Sequence, residues 1–110
     1  MAYDEELAAR IRALVEGEAA LTEKKMFGGL AFLVGGNMAV AASSHGGVMV
    51  RVDPAESDAL VAQSPARVVE MRGRPMPGWL YLEAADVADD AELATWVERG
   101  ASYARTLPSK

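Results

Sequence analysis

The chain has no cysteine and a single histidine among its 110 residues. The first absence removes disulfides, thiolate nucleophiles and cysteine-held zinc together. The second leaves His45, set between Ser44 and Gly46 in a turn-forming stretch, as the one imidazole. No acidic residue beside it in sequence orients that ring, so it reads as a solvated turn residue and not as a general base. Long apolar runs are also missing. No stretch approaches the roughly 20 residues that span a bilayer, and the start carries Asp4-Glu5-Glu6 where a secretory leader is basic and then apolar. A cytoplasmic protein with no membrane segment is expected. The ten glycines form neither G-x-G-x-x-G nor G-x-x-x-x-G-K ahead of a helix, so they belong to turns and bulges. Asp89, Asp90 and Glu92 suit the start of a helix and lack the further oxygen ligands of a hard-cation site. The other carboxylates are scattered, with no acid and base pair to single out. The sequence therefore predicts no catalytic residue, no cofactor and no metal.

What is present is a hydrophobic content of 51% with 25% charged residues, enough for one compact domain over residues 1–110 with a core of about 4–107. The net charge of -5 is unevenly spread. Between Lys24 and Leu82 six basic residues face four acidic ones, whereas the two flanks together carry five basic and twelve acidic. An acidic chain repels phosphate backbones, which disfavours direct DNA or RNA binding.

The most informative stretch is Lys24-Lys25-Met26-Phe27-Gly28-Gly29-Leu30-Ala31-Phe32-Leu33-Val34. It reads as the first strand of a sheet, bent near its start by the two glycines, with Leu30, Phe32 and Val34 on one face. Before it, Asp4 caps a helix whose stripe is Leu7, Ile11, Leu14 and Val15, stopped by Gly17. After it, Gly35-Gly36-Asn37 forms a tight hairpin. Met38 to Ala42 returns antiparallel, its alanines leaving room for a helix. Val48 to Val52 alternates with three valines inward and Met49 and Arg51 outward. Asp53-Pro54-Ala55-Glu56 starts a short helix ending near Gln63. Arg67 to Arg72 and Trp79 to Leu82 read as strands, and Asp89 or Asp90 opens a long helix in which Gly100 predicts close packing against a neighbour. The order α-β-β-β-α-β-β-α predicts a two-layer α+β domain with an antiparallel five-stranded sheet.

One group of side chains is less bland than the rest. Lys24, Lys25, Arg72 and Arg74 flank the loops richest in glycine and proline, and Trp79 and Tyr81 alternate away from Leu80 and Leu82 onto the far side of the sheet. These residues are expected to converge into a basic and aromatic contact surface. That surface is expected to take an acidic protein partner or an anionic small molecule, with nucleic acid a weaker third.

Lys25-Met26-Phe27-Gly28-Gly29, Phe32, Gly36-Asn37-Met38, Val50-Arg51-Val52, Gly73-Arg74-Pro75-Met76, Trp79-Leu80-Tyr81 and the acidic-capped terminal helix together resemble the N-terminal domain of the TfoX/Sxy family of bacterial competence regulators, over about residues 4–107. The resemblance implies a fold similar to secretion-chaperone-like domains. It also implies a homodimer and a non-enzymatic, regulatory role in transcription exerted through other proteins. Longer family members carry a second, helical domain, so a stand-alone single-domain member is expected. Partner-binding residues are then Lys24, Lys25, Phe27, Gly28, Gly29, Arg72, Arg74, Trp79 and Tyr81.

Overall fold

The computed structural model describes residues 3–26 and 28–109. Helix α1 (Glu5–Val15) is followed by strands β1 (Leu21–Met26), β2 (Gly29–Val34), β3 (Asn37–Ala42) and β4 (Val48–Arg51). A 3-10 turn (Pro54–Glu56) leads into α2 (Ser57–Gln63). Strands β5 (Arg67–Met71) and β6 (Arg74–Leu82), a second 3-10 turn (Ala84–Val87) and α3 (Asp90–Thr106) complete the chain. The sheet is antiparallel in the order β1-β2-β3-β4-β6-β5, and the α+β class is as expected.

Six strands replace the expected five. Thr22 to Lys25 are four polar residues in succession, so β1 offers no apolar alternation to read. It is a strand because β2 pairs with it from Leu21–Val34 to Met26–Gly29. The doubled glycine therefore does not bend one strand. It lies where two strands turn into each other, with Gly28 at φ 78° and Gly29 so close to β3 that an added Cβ would stand 2.4 Å from the Ala42 carbonyl oxygen. Phe27 lies outside the described residues. Charged side chains along β1 also suit its place at the sheet edge, where they discourage pairing with another chain.

One face of the sheet carries the core. Glu23, Phe32, Val40, Val50, Leu80 and Val68 stand opposite one another in successive strands, and all but the edge residue Glu23 pack into a single cluster with Leu7, Ile11 and Val15 of α1 and Leu93, Trp96 and Val97 of α3. Leu60 and Val61 of α2 pack against the same cluster. Asp4 caps α1 as expected, its carboxylate accepting from the N–H groups of Glu6 and Leu7 at 2.9 and 3.1 Å. Asp89 makes no side-chain cap to α3. Asp90 instead receives Arg10 of α1 at 2.8 Å, while the same guanidinium donates to the carbonyls of Val87 and Ala88.

Gly100 explains how closely α3 approaches. An added Cβ there would stand 2.3 Å from the Ala39 carbonyl oxygen and 3.3 Å from the Val50 side chain. Ala39 is the extra residue at a bulge between the Phe32–Val40 and Leu33–Met38 pairs, which turns it into the core. Further ties are ionic. Arg105 near the end of α3 pairs with Glu18 and, at 3.3 Å, with Glu98, and Arg12 pairs with Glu23 at 2.6 Å.

Two outcomes follow from these contacts. Gly100→Ala gains helix propensity but meets backbone, and is expected to cost about 1–3 kcal/mol in urea unfolding, whereas Gly17→Ala, with nothing within 4 Å, changes stability by only a few tenths. The Arg105 and Arg12 guanidinium groups hold the carboxyls of Glu18 and Glu23 below the ordinary glutamate range, chiefly by hydrogen bonding. A lowered folded pKa gives stability that is complete above the unfolded value near 4.3 and is lost as pH falls through the folded one. Unfolding midpoints measured from pH 7 downward should hold steady to about pH 5 and then decline, less steeply in Glu18→Gln.

Candidate functional site

The sheet face opposite the helices is the surface on which the expected residues can be judged. Lys24, Ala31, Ala41, Met49, Tyr81 and Arg67 stand opposite one another in one row across all six strands. Ala31, Ala41 and Tyr81 are buried, yet none belongs to the core cluster. Their cover comes from longer neighbours on their own face, where Leu33, Met38, Met49 and Trp79 are half-buried. The buried residues of α1 and α3, with Leu60 and Val61 of α2, lie in or against the opposite cluster, whereas Leu14, expected in the α1 stripe, is exposed. The result is a shallow floor of two alanines framed by methionine, leucine and aromatic side chains.

Cations are held over the rings at one end of this floor. Arg51 is the cross-strand partner of Trp79, and its guanidinium lies 4.8 Å from that ring centroid and 5.7 Å from the ring of Tyr103. Arg67 lies 5.0 Å from the ring of Tyr81 and pairs with Glu83 at 2.8 Å. Contacts of this kind contribute about 0.5–1 kcal/mol each at exposed sites and fix the cation in place. Tyr81 is laid down on the sheet because Gly47 has no side chain: a Cβ there would stand 2.4 Å from the phenol oxygen. Burial, followed by the nearby Glu83 carboxylate, raises the pKa of this phenol, and the Gly47 backbone hydrogen bond partly offsets the rise.

The expected basic and aromatic surface is thus only partly assembled. Lys24, Trp79 and Tyr81 share the open face, whereas Lys25 alternates to the helix side of the exposed edge strand β1. Arg72 and Arg74 belong to the tight β5–β6 turn, where Arg72 and Gly73 both have positive φ. β1 and β5 are opposite edges of the sheet, five strand spacings or roughly 24 Å apart. Lys24 and Lys25 therefore do not converge with Arg72 and Arg74, and among the described residues no aromatic pocket forms between these pairs. Gly28 and Gly29 shape the β1–β2 turn beside Ser44. Sequence reasoning missed Arg51, Arg67, Met49 and the alanine pair. The alternation Val48–Val52 already set Met49 and Arg51 outward; what it lacked was the strand order that places Arg51 beside Trp79.

A separate concavity lies on the helix side. It is an open groove of about 860 Å³ between α3 and the Pro54–Glu56 turn, with Asp53, Glu56, Arg99 and Tyr103 among its lining residues. It contains none of the four loop and edge cations expected to hold an anion. His45 is exposed, and its backbone N–H donates to Ser43 Oγ at 3.1 Å. No helix among the described residues is long and apolar enough to cross a membrane.

The family model described as the TfoX N-terminal domain matches residues 13–104. No curated protein and no solved structure matches the chain.

The two tryptophans test the electrostatics of the open face. Trp96 is 2% exposed in the core, while Trp79 is half-buried beside Arg51. Iodide is expected to quench the Trp79 share of the emission more strongly than caesium does, and Arg51→Gln should narrow that difference. Equal quenching by the two ions would show that no positive potential exists there.

Proposed function

Because the chain belongs to the TfoX N-terminal domain family, we propose that it is a non-enzymatic regulatory module, acting on transcription through contacts with other proteins. The observation that carries this reading is the open sheet face, where Arg51 and Arg67 are held over Trp79 and Tyr81 beside a floor of small and sulfur-containing side chains. Aromatic and arginine side chains are enriched at protein interfaces, and a few such anchors account for most of the binding energy. Among the described residues, none on this face pairs a nucleophile with a base or gathers carboxylates, so the chemistry it offers is that of contact.

Self-association, implied by the family resemblance, is a part of this proposal that solution mass decides. The protein-contact reading is tested by affinity capture from the native cell, comparing wild type with Trp79→Ala and with Thr95→Ala, an exposed residue lining the α3 groove on the other side of the sheet. The expected outcome is a partner retained by Thr95→Ala and lost with Trp79→Ala, while both variants keep the wild-type urea midpoint to within about 1 kcal/mol. Transcript levels altered by removal of the protein should be restored by wild type and not by Trp79→Ala. Equal capture by both variants would count against this face.

A further inference from the structure

We propose that the open sheet face is the seat of an acidic amphipathic helix from another protein, and not of a second copy of this chain. The proposal rests on reading that face as a contact surface, and it adds the chemistry and shape of the occupant.

Charge is the first argument. In a chain of net charge -5, the open face carries Lys24, Arg51 and Arg67. Glu83, at the end of β6, is paired with Arg67. Among the described residues neither Lys24 nor Arg51 lies within ion-pairing distance of a carboxylate. A face-to-face stack of two copies brings two net-positive surfaces together, since Lys24, Arg51 and Arg67 outnumber Glu83 on each, a juxtaposition that costs free energy on desolvation. A partner with carboxylates at its margins is favoured instead.

Size is the second. From Lys24 to Arg67 the face is about 24 Å wide, and strands averaging six residues give it a length of about 20 Å. A helix about 10–12 Å across and three to four turns long fits it. Such a helix rests on the half-buried Leu33, Met38 and Met49, with its flanking carboxylates directed toward Lys24 on one side and Arg51 on the other.

The rings supply the third. A single-stranded nucleic acid needs free aromatic faces on which bases stack. Here Trp79 and Tyr81 already have guanidinium groups over them at 4.8 and 5.0 Å, so a base would first have to displace a cation.

The test uses the full chain, labelled with 15N, and three probes: a leucine and glutamate amphipathic peptide of about 18 residues, its lysine-for-glutamate counterpart, and a short oligothymidylate. The acidic peptide is expected to shift the amides of Ala31, Ala41 and Met49 saturably, more weakly as salt rises. Lys24→Glu, which alters only an exposed edge side chain, and Arg51→Gln should each weaken that binding by about fivefold or more, and Lys24→Glu should improve binding of the lysine peptide. Shifts confined to the α3 groove, affinity unchanged in both variants, or no response to the acidic peptide would overturn the proposal. Face shifts that grow with protein concentration, together with a doubled mass, would assign the face to a second copy and leave the protein-contact reading standing. Preference for oligothymidylate would overturn both.

Discussion

The fold depends on how closely α3 can lie on β3 and β4. A helix normally rests on a sheet at a distance set by its side chains, but at Gly100 the backbone itself comes down against the Ala39 carbonyl. The sequence meets this demand from both sides, with a glycine in the helix and an alanine raised by a bulge in the strand. Once α3 is held there, Leu93, Trp96, Val97 and Ala101 reach the valines and leucines of the sheet, and α1 completes the layer beside it. Arg10 to Asp90 and Arg105 to Glu18 then join regions distant in sequence. As exposed pairs they contribute little individually; their effect is to fix how α1 and its following turn sit against α3.

That packing has a consequence for the other side of the sheet. The buried residues of α1 and α3, with Leu60 and Val61 of α2, meet one face, so the opposite face must remain stable in water without a covering layer. It does so by a local device. Small residues, Ala31 and Ala41, are recessed beneath long neighbours, and the two large rings are shielded by arginines whose charged ends stay hydrated while their stems cover apolar carbon. Gly47 completes the arrangement by letting Tyr81 lie flat. The same features that make the face tolerable in solvent leave its rings and guanidinium groups oriented, with little conformational freedom left to lose in a contact.

Much of this was legible in the sequence wherever the cause is local. The alternation in Val48–Val52 and Trp79–Leu82 assigned inward and outward residues correctly, and Gly35-Gly36 marked a turn in which both residues adopt positive φ. The Asp4 cap, the proline-led start at Pro54 and the end of α2 at Gln63 all follow from short-range chemistry. Gly100 announced close packing because helical glycine is costly without a reason. β1 was illegible because an edge strand is defined by its neighbour and not by its own pattern, and Thr22-Glu23-Lys24-Lys25 has no period of two in hydropathy. Strand order was illegible for the same reason. β6 inserts between β4 and β5, and that choice separates Lys24 from Arg74 by the width of the sheet while bringing Arg51 to Trp79. Sequence proximity to glycine-rich loops grouped basic residues that the strand order separates; register brings Arg51 to Trp79 and Arg67 to Tyr81.

The division of charge follows from the same topology. The acidic flanks of the sequence become α1 and α3, which form the outer layer, while the mildly basic centre becomes the sheet. A helix layer on one side and an open sheet on the other therefore turn an uneven linear charge pattern into a molecule with two electrostatically different sides. Partners of one sign meet attraction on the sheet side and repulsion from the helix side, so the orientation of an encounter is biased before any contact forms. Arg51 lies where the two sides meet, over Trp79 of the sheet and 5.7 Å from the ring of Tyr103 on α3, so a net charge of -5 coexists with a locally basic end of the sheet.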